Sequence, residues 1–156
     1  MVSRWVFLLF AVISLPKAHA CSEYLLETGL SVQHLELMRS HSKGLITFTQ
    51  LMENLPSKGT LLGITGANEH YEVLAKATGL TPWSVAYQKF GVDPGERHHT
   101  DKFMDVLTKQ DELIVFLVPS GLWSHPEGIA TKREMWWLLS HPERMKHVLF
   151  VLGAYP

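Results

Sequence analysis

The chain has 156 residues, 46% apolar and 19% charged, with a formal net charge of −1. That length suits one domain with its own core, and that composition is globular rather than disordered. Its Lys and Arg form no stripe that could follow a phosphate backbone, so no nucleic-acid partner is expected.

The first twenty residues carry an export pattern. Met1 to Arg4 give a positive start, Trp5 to Leu15 an apolar core interrupted only by Ser14, and Ala18-His19-Ala20 the small-residue end that signal peptidase accepts. That core is eleven residues long, whereas a lasting transmembrane helix takes about 20. The plain alternative is a buried N-terminal helix. Cleavage after Ala20 would remove Arg4 and Lys17, leaving 12 basic and 15 acidic residues and a formal charge of −3. The expected location is the periplasm or outside the cell. The shortened chain would start at Cys21, the only cysteine. A cysteine there is where a bacterial lipoprotein takes its lipid, although Ala18 stands where that signal has Leu. Lipid on Cys21 is the one membrane attachment the sequence offers. One cysteine excludes an internal disulfide, a CxxC redox centre and a cysteine-based zinc site.

Ser22 to Ser40 reads as a broken helix, with Gly29 closing one piece and Ser31 capping the next. His34 falls on this pattern as a surface residue. His41 to Gly44 reads as a linker. Thr47 and Gln50 then form a capping box, with Ile46 positioned to staple onto Leu51, and Phe48, Leu51, Met52 and Leu55 make one apolar face. Thr60 to Thr65 is the first strand, followed by a Gly66-Ala67-Asn68 turn and a helix with Tyr71, Leu74, Ala75 and Thr78 on one side. Thr81 and Pro82 open a helix carrying Trp83, Ala86, Tyr87 and Phe90. Val92 to His99 is a loop, and Thr100 caps a helix with Phe103, Met104 and Leu107 facing inward.

Leu113 to Val118 is a continuous β-branched and apolar run, read as a central strand buried on both faces. Ser120 to Ala130 is a loop. Thr131 and Glu134 match a second capping box, ahead of the nearly all-apolar Met135-Trp136-Trp137-Leu138-Leu139. His147 to Leu152 is a third strand. Strands alternating with helices imply parallel pairing. The expected architecture is a small three-layer α/β domain with a mostly parallel sheet of three or four strands. A helical segment and linker over 21–44 would precede a single domain over 45–156.

In open α/β sheets ligands sit beyond the carboxyl ends of the strands. Three segments qualify: Thr65 to His70, Ser120 to Glu134, and Gly153 to Tyr155. The Gly63 to Asn68 turn resembles a phosphate cradle in outline but has the spacing of neither glycine-rich motif, and a tight turn explains it as well. Trp123-Ser124-His125-Pro126-Glu127-Gly128 combines an aromatic platform, an imidazole and a carboxylate. There Glu127 or Glu134 would orient His125, and Ser120 or Ser124 would be the nucleophile. No GxSxG elbow is present, and the plain reading has Trp123 plugging the core and Glu134 capping its helix. The ligand-binding candidates are Thr65, Gly66, Asn68, Trp123 and Tyr155. His98-His99 near Glu96 and Asp101 lacks zinc spacing, so no metal ligands are assigned. Trp136-Trp137 beyond Lys132-Arg133 reads as core packing or as a contact surface.

The expected function is an exported, non-catalytic binding or assembly component with a protein partner in the cell envelope. A small exported hydrolase or transferase around His125, and a carrier for a small ligand or metal ion, stand as alternatives. No cofactor is indicated.

Overall fold

The computed structural model describes residues 29–63, 69–119, 121–124 and 130–152. Its elements, in chain order, are α1 (Val32–His41), β1 (Gly44–Thr47), α2 (Phe48–Glu53), β2 (Thr60–Gly63), α3 (Glu69–Ala77), β3 (Thr81–Pro82), α4 (Trp83–Lys89) and α5 (His99–Thr108). There follow β4 (Ile114–Val118), a 3₁₀ turn (Leu122–Ser124), α6 (Ala130–Ser140), a second 3₁₀ turn (Pro142–Arg144) and β5 (Val148–Leu152).

The five strands form one sheet in the order β1-β5-β4-β2-β3. Every pairing is parallel. The α/β class and the parallel sheet are as the sequence predicts, but the sheet of the described residues has five strands, not three or four. The two additional strands are edges. β1 lies in the stretch read as linker and helix start, and β3 is the Thr81-Pro82 pair read as a helix opening. Proline suits an edge, where no ladder bond is lost.

β4 takes the central place, and all five of its residues are buried. Side chains alternate across it: Ile114, Phe116 and Val118 enter one core, Val115 and Leu117 the other. β5 does the same with Val148, Phe150 and Leu152 against Val151, and Phe116 meets Phe150 at 5.8 Å. Buried residues of α1, α4, α5 and α6 cover the first face, those of α2 and α3 the second. Connections running toward the β3 edge therefore carry their helices on one face, and those running back carry them on the other. A single crossover hand requires this alternation. α1 belongs to the same core, through Leu35 and Met38.

Local signals explain several starts. Ser31 caps α1 by accepting from the His34 N–H at 3.1 Å. The Thr47–Gln50 capping box forms in both directions, at 3.1 and 2.9 Å. Thr100 is a different case. α5 begins at His99, with His98 as its cap in a left-handed conformation, and Thr100 lies buried inside the helix. α6 likewise begins at Ala130, which places Thr131 inside it.

Candidate functional site

The chain leaves β2 toward β3 on one face and leaves β4 toward β5 on the other, so the connections diverge at the carboxyl ends of β2 and β4. Such a divergence opens the crevice where α/β proteins place ligands. Gly63 ends β2 there, and at φ 137° it adopts a conformation that favours glycine. A Cβ on it would stand 2.7 Å from the Leu117 Cβ. Glycine thus lets β2 close on β4 at the mouth of the crevice. Of the sequence-predicted site residues, Ser120, His125, Glu127, Thr65, Gly66, Asn68 and Tyr155 lie outside the described residues. Ser124 ends the first 3₁₀ turn. Glu134 and Trp123 are described in full.

Glu134 sits on the core side of α6 and is 4% exposed. Its helix begins earlier than a Thr131–Glu134 capping box requires, and the side chain turns inward instead. Burial pushes its carboxyl from the ordinary 4.5 up to about 8, so the acid is neutral at pH 7. The charge that Glu134 would carry bears on two tyrosines. Burial, then the charge Glu134 would carry, pushes Tyr87 up to about 12, with the Thr100 hydroxyl beside it pulling the other way. Burial pushes Tyr71 up to about 12 too, against the backbone hydrogen bond from Trp83. The Tyr71 phenol accepts from the Trp83 N–H at 3.0 Å and donates to the Leu61 carbonyl at 3.4 Å. Tyr87 stacks on Phe103 at 4.0 Å and shares a 3.1 Å hydrogen bond with His99 Nδ1. The half-buried His99 therefore connects the solvent side to one of these phenols. Its neighbour His98 is exposed, and the described residues contain no group of three metal-ligating side chains.

Two residues along a helix is a turn of about 200°, so Trp136 faces away from the side that buries Glu134. Trp136 is 54% exposed. Trp123 rests against it with ring centroids 5.4 Å apart, and His34 of α1 stands edge-on to both, at 6.2 Å from Trp123 and 6.1 Å from Trp136. The Lys132 ammonium donates to the Trp123 carbonyl at 3.1 Å, tying the turn after β4 to α6. His34 is thus part of an aromatic cluster rather than the plain surface residue expected. Trp123 packs partly on the first core, as the plain reading has it, and at the same time supports an exposed indole. Trp137, next along α6, goes inward against that core, stacked with His141 at 4.2 Å. The Trp136-Trp137 pair therefore divides, one ring for a surface and one for packing.

The sequence missed His34 and the Tyr87–His99 pair. Nothing in the spacing of these residues marks them, since each is brought in by helix packing. Compared with protein-family profiles, with curated proteins and with solved structures, the chain matches none.

Proposed function

We propose that this chain is an exported, non-catalytic binding component of the cell envelope that engages its partner or ligand through the aromatic surface of α6. The observation that carries the reading is Trp136, more than half exposed, held by Trp123 and His34. Tryptophan is the residue most concentrated at binding hot spots, and a rigidly supported indole loses little freedom on binding. The export pattern at residues 1–20 and the absence of a strong catalytic motif agree with it. Cys21 supplies a route to the membrane if it is lipidated. No helix among the described residues is long and apolar enough to cross a bilayer.

The test is native mass spectrometry of the protein recovered gently from its own envelope, wild type beside Trp136→Ala. A bound mass that disappears in the variant supports the reading. Bare monomers in both contradict it.

A second reading, an exported hydrolase or transferase, is favoured by one observation: Glu134 is an acid that keeps its proton at neutral pH, as a general acid must. At 4% exposure it faces no solvent. Turnover of chromogenic ester or phosphate substrates, lost in Glu134→Gln with the fold intact, would move the assignment to catalysis.

A further inference from the structure

A cleft of about 340 Å³ runs between α5 and α6, lined by Asp101, Arg133, Trp136, Trp137, Ser140 and His141. That volume lies within the range of small-ligand sites, roughly 300–1,000 Å³. It opens on the same indole that carries the proposed function.

The polar groups of the cleft define what it can hold. Asp101 and Arg133 are both exposed, and neither forms an ion pair among the described residues. Their charges cancel, so the cleft suits a neutral occupant. The His141 Nδ1 lies 2.7 Å from the Trp137 carbonyl. A carbonyl only accepts, so Nδ1 carries a proton, and in that tautomer Nε2 is the ring's acceptor. Ser140 donates its hydroxyl hydrogen to the Trp136 carbonyl at 2.8 Å, which leaves its oxygen free to accept. The side chains thus provide three accepting groups, Asp101, Ser140 and His141, against one strong donor, Arg133. Beside them lies a flat apolar platform, Trp136.

A ligand that fits is uncharged, rich in hydroxyl donors, and apolar on one face. A pyranose ring has these properties: its C–H face packs on an indole while its equatorial hydroxyls donate and accept at the rim. An amino-acid zwitterion can pair its ammonium with Asp101 and its carboxylate with Arg133, but its polar head offers no flat C–H face to the exposed Trp136 indole. A wholly apolar molecule leaves every rim group unpaired. We propose that the α5/α6 cleft binds a neutral saccharide, with a sugar ring stacked on Trp136 and its hydroxyls held by Asp101, Arg133, Ser140 and the His141 Nε2. This rests on the aromatic surface being the binding edge and adds the class of ligand.

The test is calorimetric titration of the whole protein with neutral trisaccharides of glucose and of N-acetylglucosamine, α- and β-linked. A parallel series uses free amino acids and dipeptides. At least one saccharide is expected to bind saturably. Trp136→Ala should weaken it about tenfold or more, a loss the size of one stacked aromatic contact. Asp101→Asn, which keeps shape and removes charge, should weaken it severalfold with the fold intact and the melting temperature lowered by no more than one lost charge at the start of α5 accounts for. No saccharide binding at millimolar concentration, or binding indifferent to both substitutions, overturns the proposal. Zwitterion binding that depends on Trp136 overturns the ligand class and leaves the binding surface standing. Silence in both series, with a bare monomer from the envelope, removes both.

Discussion

Glu134→Gln removes a titratable proton from the core and keeps the side chain's shape. In the folded chain the Glu134 carboxyl titrates at about 8, against 4.5 for an ordinary glutamate. Between those values the folded protein holds a proton that the unfolded chain has released. Stability therefore falls as pH rises through this window, by up to about 1.4 kcal/mol per pH unit. Below 4.5 both states are protonated and the group costs nothing through ionisation. Above 8 both are ionised and the penalty stays constant. Integrated across the window the penalty is on the order of 5 kcal/mol, of which about 3 kcal/mol is present at pH 7. A glutamine is neutral in both states and escapes it. Urea denaturation at pH 5, 6, 7 and 8 is the assay. The variant should match wild type near pH 5 and exceed it progressively, by about 3 kcal/mol at pH 7. Parallel stability curves for the two proteins from pH 5 to pH 8 would refute the reasoning, because they would mean the native carboxyl ionises as an exposed one does.

Gly63→Ala should cost about 3 kcal/mol in urea denaturation, because a left-handed backbone and a 2.7 Å contact with Leu117 are imposed together. Thr47→Ala removes one direction of a formed capping box and should cost about 1 kcal/mol, read as a lower melting temperature with unchanged secondary structure. Arg144 reaches Asp105 Oδ1 at 2.8 Å, the Asp105 carbonyl at 3.2 Å and Thr108 at 3.1 Å, joining the turn before β5 to α5. Arg144→Gln should therefore lower stability by about 1 kcal/mol, and a variant as stable as wild type would show these bonds to be replaced by water.

The parts of the fold that the sequence announces are those where one signal dominates. β4 and β5 are long apolar runs buried on both faces, and no helix periodicity competes with them. The Thr47–Gln50 and Ser31 caps are local chemistry between residues a few positions apart. β1 was hidden because its four half-buried residues run straight into that strong helix signal. β3 was hidden because two edge residues, one of them proline, carry almost no strand pattern. At Thr131 the capping motif is present but the helix starts earlier, and burial of Glu134 on the core side of α6 overrides the exposed role that the motif implies. At Thr100 the helix starts one residue earlier, on a left-handed His98.

The candidate site was legible only in part for a related reason. Met135, Leu138 and Leu139 fill the core side of α6. An apolar helix with its core side already full must turn a further tryptophan outward, and the Trp136-Trp137 pair announced a surface to that extent. His34 and Trp123 reach Trp136 through tertiary packing of α1 and the turn after β4, which no spacing along the chain encodes.

The most direct test of the binding surface uses as reporters the four tryptophans left after cleavage at Ala20, namely Trp83, Trp123, Trp136 and Trp137. Two-dimensional NMR resolves each indole N–H, and the protein is titrated with a soluble fraction of its own envelope. The expected result is a saturable shift of the Trp136 indole, with a smaller one at Trp123, while Trp83, packed between the two cores, stays fixed. A titration that leaves Trp136 unmoved, or that moves Trp83 instead, would contradict the account.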